Sequence, residues 1–114
     1  MKRAFSFAIA FIVVGCMTDN DLKQWYVPMN LDKRPAVAVD HVEFLDRLPV
    51  DRPYIVAGTI APPRSEFDTW EDEVKAIRRI AALYGADAIY LEPESIGKLD
   101  RRLTARAIVW KDQP

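Results

Sequence analysis

Two hydrophobic periods divide the chain. From Ala36 to Leu45 (AVAVDHVEFL) β-branched residues dominate, with Val37 and Val39 on one parity and Val42 and Phe44 on the other. One residue near Asp40 or His41 is therefore extra, and the run predicts a strand with a bulge. Asp46 to Pro53 reads as a loop. Tyr54 to Ala61 (YIVAGTIA) predicts a second strand, in which Gly58 marks a bulge or the close approach of another backbone. Past Pro62 and Pro63 the period lengthens: Phe67, Trp70, Val74, Ile77, Ala81 and Tyr84 recur at steps of three and four and form the apolar stripe of a helix. Ser65, with Asp68 three residues on, predicts the N-cap, the acidic half (Glu66 to Glu73) precedes the basic one (Lys75, Arg78, Arg79), and Gly85 is a natural C′ stop. Ala86 to Glu92 predicts a third strand, Pro93 to Asp100 a turn, and Arg101 to Lys111 a fourth strand.

A strand, a helix and a strand in succession imply a right-handed crossover, so the second and third strands should run parallel, adjacent or with one strand between them. The fourth should return as a hairpin partner of the third. The expected fold is α+β: a two-layer sandwich of a four-stranded mixed sheet and one long helix (β-β-α-β-β) over residues 36–114. A single helix covers a single face. Leu103, Ala105, Ala107 and Val109 suit the space beneath it, whereas Ile108 and Trp110 project to the other side and predict an apolar patch awaiting a partner, a second copy or the segment 16–35.

The first sixteen residues have a different organisation. Lys2 and Arg3 precede an uncharged, largely apolar run, Ala4 to Val14, of about eleven residues, well short of the ~20 that span a bilayer. This is the layout of a secretory signal. The run closes on Val13-Val14-Gly15-Cys16, which resembles the lipobox of bacterial lipoproteins, where the cysteine is lipidated and the peptide is cut before it. The resemblance implies a signal peptide over 1–15, acylation of Cys16, and a protein of the cell envelope held to the membrane by its lipid. Because Met17 is not the aspartate associated with inner-membrane retention, it also implies the outer membrane, facing the periplasm, in a two-membrane source. Residues 16–35, polar and without a sustained period, read as a lipidated tether, with Trp25 and Tyr26 placed at the headgroups or docked on the domain itself.

The 114-residue chain carries 16 Lys and Arg against 17 Asp and Glu, and loss of residues 1–15 removes two of those cations and no carboxylate. An acidic balance of this kind argues against nucleic acid as a partner. Cys16 is the single cysteine and His41 the single histidine. His41 and Glu43 would share a strand face beside Asp40, which makes a small hydrolase or a metal-binding protein the alternative reading, although two ligands make no site and neither metal nor cofactor is expected. Ser65 lacks a nucleophile-elbow context. Glu92 and Glu94 flank Pro93 in a solvated turn. Arg101, Arg102 and Arg106 open the last strand as a basic cluster, suited either to a partner's carboxylates or phosphates or to cross-strand pairing with Glu92 or Glu94.

The runs Pro53-Tyr54-Ile55-Val56-Ala57-Gly58-Thr59-Ile60 and Ala81-Ala82-Leu83-Tyr84-Gly85-Ala86-Asp87-Ala88-Ile89 resemble a pattern of small bacterial envelope proteins that include the Rcs stress-sensor lipoprotein and its YbjQ-like relatives. The resemblance covers roughly Ala36 to Trp110 and implies the fold more than a chemistry. The disulfides of the Rcs sensor have no counterpart here. The expected function is that of a non-enzymatic, membrane-anchored envelope lipoprotein presenting a small interaction or sensing domain, with an envelope protein or a second copy as partner.

Overall fold

In the computed structural model of the chain, residues 17–29, 34–93, 96 and 103–112 are described. Thr18 opens the first element among the described residues: its hydroxyl accepts the Asp21 N–H, the Asp21 carboxylate accepts the Thr18 N–H, and this reciprocal box starts helix α1, Asp19–Lys23. Strand β1, Tyr26–Pro28, follows. A single 3-10 turn at Val39–His41 leads into β2, Glu43–Leu45, and the seven-residue β3, Tyr54–Ile60, comes next. The long helix α2 is Trp70–Leu83, and β4 (Ala88–Leu91) and β5 (Ala105–Trp110) complete the order.

The five strands form one mixed sheet in the order β1-β3-β5-β4-β2. β5 is antiparallel to both β3 and β4, so those two run parallel with one strand between them, as the crossover requires. The fourth expected strand does pair with the third. β1 adds antiparallel to β3, and β2 adds parallel to β4. Helix α2 lies over one face, above a core that includes Ile60, Ile77, Ile80, Ile89, Leu103, Ala105, Ala107 and Val109. The α+β class holds, with five strands in place of four.

The fifth strand comes from the supposed tether. Residues 17–29 are part of the fold: Leu22 is buried in the core, Trp25 meets Phe67 edge-on at 6.0 Å, and Tyr26 stacks on Tyr84 at 3.8 Å. Burying a leucine contributes about 1.5–3 kcal/mol, enough to hold a short helix that would not persist alone. Of the two fates for Trp25 and Tyr26, docking on the domain is the one adopted. The Tyr26 ring also explains Gly58, where a Cβ would collide with it, and β3 shifts register between Val56 and Gly58, so Gly58 marks both a bulge and a close approach.

Three local expectations fail for identifiable reasons. The parity change at Asp40 and His41 is a 3-10 turn before a short strand rather than a bulge within a long one. Ser65 belongs to a separate 3-10 turn, and the helix is capped by Thr69, whose hydroxyl accepts the Asp72 N–H at 3.1 Å. The chain offers Ser65-x-x-Asp68 and Thr69-x-x-Asp72 in succession, and the second is used. Trp70, at the first helical position, is 42 % exposed, while Glu73 is buried in the stripe with Ala76, Ile77, Ile80 and Ala81. The helix end is as expected: Gly85 takes φ 74° and the Ala86 and Gly85 N–H groups donate to Ala81 and Ala82, a Schellman ending.

Candidate functional site

Asp87 sits where three strands meet. Its backbone N–H donates to Ile108 at 2.8 Å and its carbonyl accepts the Glu43 N–H at 3.1 Å. Its carboxylate, 4 % exposed, accepts the Trp110 N–H on Oδ2 at 2.9 Å and contacts His41 Nε2 through Oδ1 at 2.8 Å. One residue thereby fastens the ends of β2, β4 and β5, and each carboxylate oxygen has a partner. The side chain of His41 is 44 % exposed. Asp40 and Glu43 are exposed as well, and among the described residues no group of three or more His, Cys, Asp or Glu is placed to hold a metal ion. The geometry joins His41 to Asp87 instead of to Asp40 and Glu43.

Ile108 and Trp110 do project from the face opposite α2, as their parity requires, but they form no exposed patch. They are 0 % and 6 % exposed. Ala88 joins them, Tyr54 and Val56 flank them from β3 in register with Trp110 and Ile108, and Leu45 and Leu48 pack against the cluster. The Arg52 guanidinium lies 4.0 Å above the Trp110 ring and pairs with Asp112 at 3.1 Å. The 46–53 loop packs on this half of the face through Leu48 and Arg52, where a partner or the tether was the expectation. The loop itself surrounds an open depression lined by Pro49, Val50, Asp51, Arg52, Pro53 and Tyr54.

The other half of that face remains open. Strand register places Arg106 beside Thr59 and Tyr90, with Val27 opposite Thr59 on the edge strand. Arg106 pairs with Glu92 at 3.0 Å, so the cross-strand reading of this arginine is the one realised. Val27 and Met29 are 61 % and 57 % exposed, and Met29 Sδ accepts the Thr59 hydroxyl at 3.3 Å. Arg101, Arg102, Glu94 and Cys16 lie outside the described residues.

A second buried carboxylate, like Asp87, was not anticipated. Glu73 is 2 % exposed, Oε2 has no hydrogen-bond partner, and burial raises its pKa above the ordinary carboxylate value against the opposing pull of Arg64 and a hydrogen bond from the Leu103 backbone. Its helical spacing to Ile77 and Ile80 is the signal that could have found it. Tyr26 is pushed up too, first by burial and then by Tyr84.

Comparison with family models, curated proteins and solved structures found no match. Among the described residues no helix is long and apolar enough to cross a membrane.

Proposed function

We propose that this chain is a lipid-anchored protein of the bacterial envelope, acylated on Cys16 after removal of residues 1–15, which presents a small non-enzymatic α+β domain for interaction or sensing. The observation that carries the reading is the Val13-Val14-Gly15-Cys16 sequence at the end of an apolar run too short to span a bilayer. Two acyl chains or more give stable anchoring where one would exchange, since each buried methylene contributes about 0.8 kcal/mol. Kinship with the Rcs-sensor and YbjQ-like proteins is part of this proposal and rests on the residue pattern alone. In a two-membrane source the outer membrane, with the domain facing the periplasm, is the proposed location.

Burial of Ile108 and Trp110 moves the proposed interaction surface to the open half of the same sheet face, around Arg106, Val27 and Met29, with Arg101 and Arg102 retained as candidates. An envelope protein or a second copy of the chain is the proposed partner. The alternative, a hydrolase or metal-binding protein built on Asp40, His41 and Glu43, gains no support, because His41 turns to Asp87 and the two carboxylates flank it in the open. Cys16→Ala tests the anchoring directly: fatty-acid labelling should be abolished, the uncleaved precursor should accumulate, and undiminished labelling would end the reading.

A further inference from the structure

We infer that the domain does not float above the membrane on a tether but is held against the phospholipid headgroups by its helical layer, with the open half of the sheet turned away. This rests on acylation of Cys16, and it follows from how near to Cys16 the packed residues come. Met17 is already packed on the core, Thr18 closes the capping box, and Asp19 is fixed by its ion pair with Arg79 at 2.7 Å. A single peptide link, about 3.8 Å from Cα to Cα, separates Met17 from the residue that bears the acyl chains. A flexible nineteen-residue tether would have allowed roughly 24 Å of free reach; the folded segment removes it.

The attachment point also sets the orientation. Asp19 meets Arg79 on α2, and Leu22, Trp25 and Tyr26 are packed against the core or the residues flanking α2, so the anchored end lies on the helical side of the sheet. Lys75 is exposed one helical turn before Arg79 and shares its face. Arg79 with Asp19, and Lys75 beside them, offer both signs of charge to a headgroup layer that itself carries phosphate and ammonium groups. Across the sheet, the 46–53 loop with its fully exposed Val50 packs on the opposite face. A partner of the open face is then approached from the compartment, and a partner of the helical face must lie in the membrane itself.

The test uses the full chain, processed and acylated in a bacterial host. Acylated Cys16 offers no free thiol, so Lys75→Cys or Val50→Cys gives a unique position for a fluorophore. In vesicles of phosphatidylethanolamine and phosphatidylglycerol containing a headgroup-nitroxide lipid, quenching at position 75 should exceed that at position 50 several-fold. Inserting twelve Gly and Ser residues between Cys16 and Met17 restores a reach of about 20 Å, and the two values should converge. Equal quenching with native spacing, or a difference that survives the insertion, overturns this inference while leaving the anchor intact. The mass of the N-terminal peptide, measured on the same sample, separates that result from failure of the anchor: an unmodified Cys16 overturns both.

Discussion

The two ends of the core bury a carboxylate each, and they treat it in opposite ways. Asp87 is enclosed by groups that use it: a backbone N–H on one oxygen, an imidazole on the other, and strand hydrogen bonds on both sides of its peptide. Glu73, buried as deeply, keeps one oxygen without a partner and has its charged form disfavoured by burial. Burial of an acid is thus no statement about stability until its partners are counted. Asp87 behaves as a rivet, and Glu73 as a cost that the surrounding apolar packing of α2 offsets.

The largest effect that would break this contrast is expected at the rivet. Asp87→Ala leaves the buried Trp110 N–H without its acceptor and removes a charge-assisted bond, and should destabilise by about 3 kcal/mol. The denaturant midpoint should fall with little change in slope. A loss below about 1 kcal/mol would mean that water takes over the role and that Asp87 is no fastening. His41→Ala removes only the half-exposed partner. About 1 kcal/mol is expected, because solvent reaches the vacated oxygen more readily than it reaches the Trp110 amide. A His41→Ala loss equal to that of Asp87→Ala would place the weight of the corner on the imidazole.

How far this molecule was legible depends on whether the signal was local. Helix α2, its Schellman ending at Gly85 and the parallel relation of β3 and β4 followed from periodicity and crossover handedness, both of which are properties of contiguous sequence. The helix stripe followed in part: Ile77 and Ala81 are buried and Phe67, Val74 and Tyr84 pack on the core, but a charged residue, Glu73, occupies a buried position and an aromatic, Trp70, an exposed one in the first turn. Residues 17–29 were illegible as structure because Leu22, Trp25 and Tyr26 supply the burial singly, without a period, although Thr18-x-x-Asp21 carried the same capping pattern that was read at Ser65. Over Ile108 and Trp110, Leu48 and Arg52 come from the 46–53 loop, far away in the chain, and side-chain parity can identify a face without identifying what closes it. His41 and Asp87 are 46 residues apart. Their pairing belongs to the tertiary fold alone, which is why sequence could offer His41 only its local neighbours Asp40 and Glu43.

The smallest expected effect lies at Glu73, and pH makes it the most discriminating. A carboxyl whose pKa is higher in the folded state than in the unfolded one leaves the native protein holding more protons between the two values, so its contribution is fully present below the ordinary carboxylate range and is lost as pH rises through the raised value. Above the ordinary carboxylate range the half-partnered Glu73 therefore costs stability relative to its protonated form. Glu73→Gln keeps the shape and removes the titration, and should leave the protein equal to or more stable than wild type by under about 1 kcal/mol, the loss of attraction to Arg64 offsetting part of the gain. Other acids titrate in the same window, so the quantity to follow is the difference between the two proteins' urea midpoints, whose slopes should match. As pH falls from neutral through the carboxylate range, that difference should move in favour of wild type. A difference that stays flat would mean that Glu73 is solvated in solution, and one that moves the other way would mean that Arg64 and the Leu103 amide outweigh burial, making Glu73 a second rivet and erasing its contrast with Asp87.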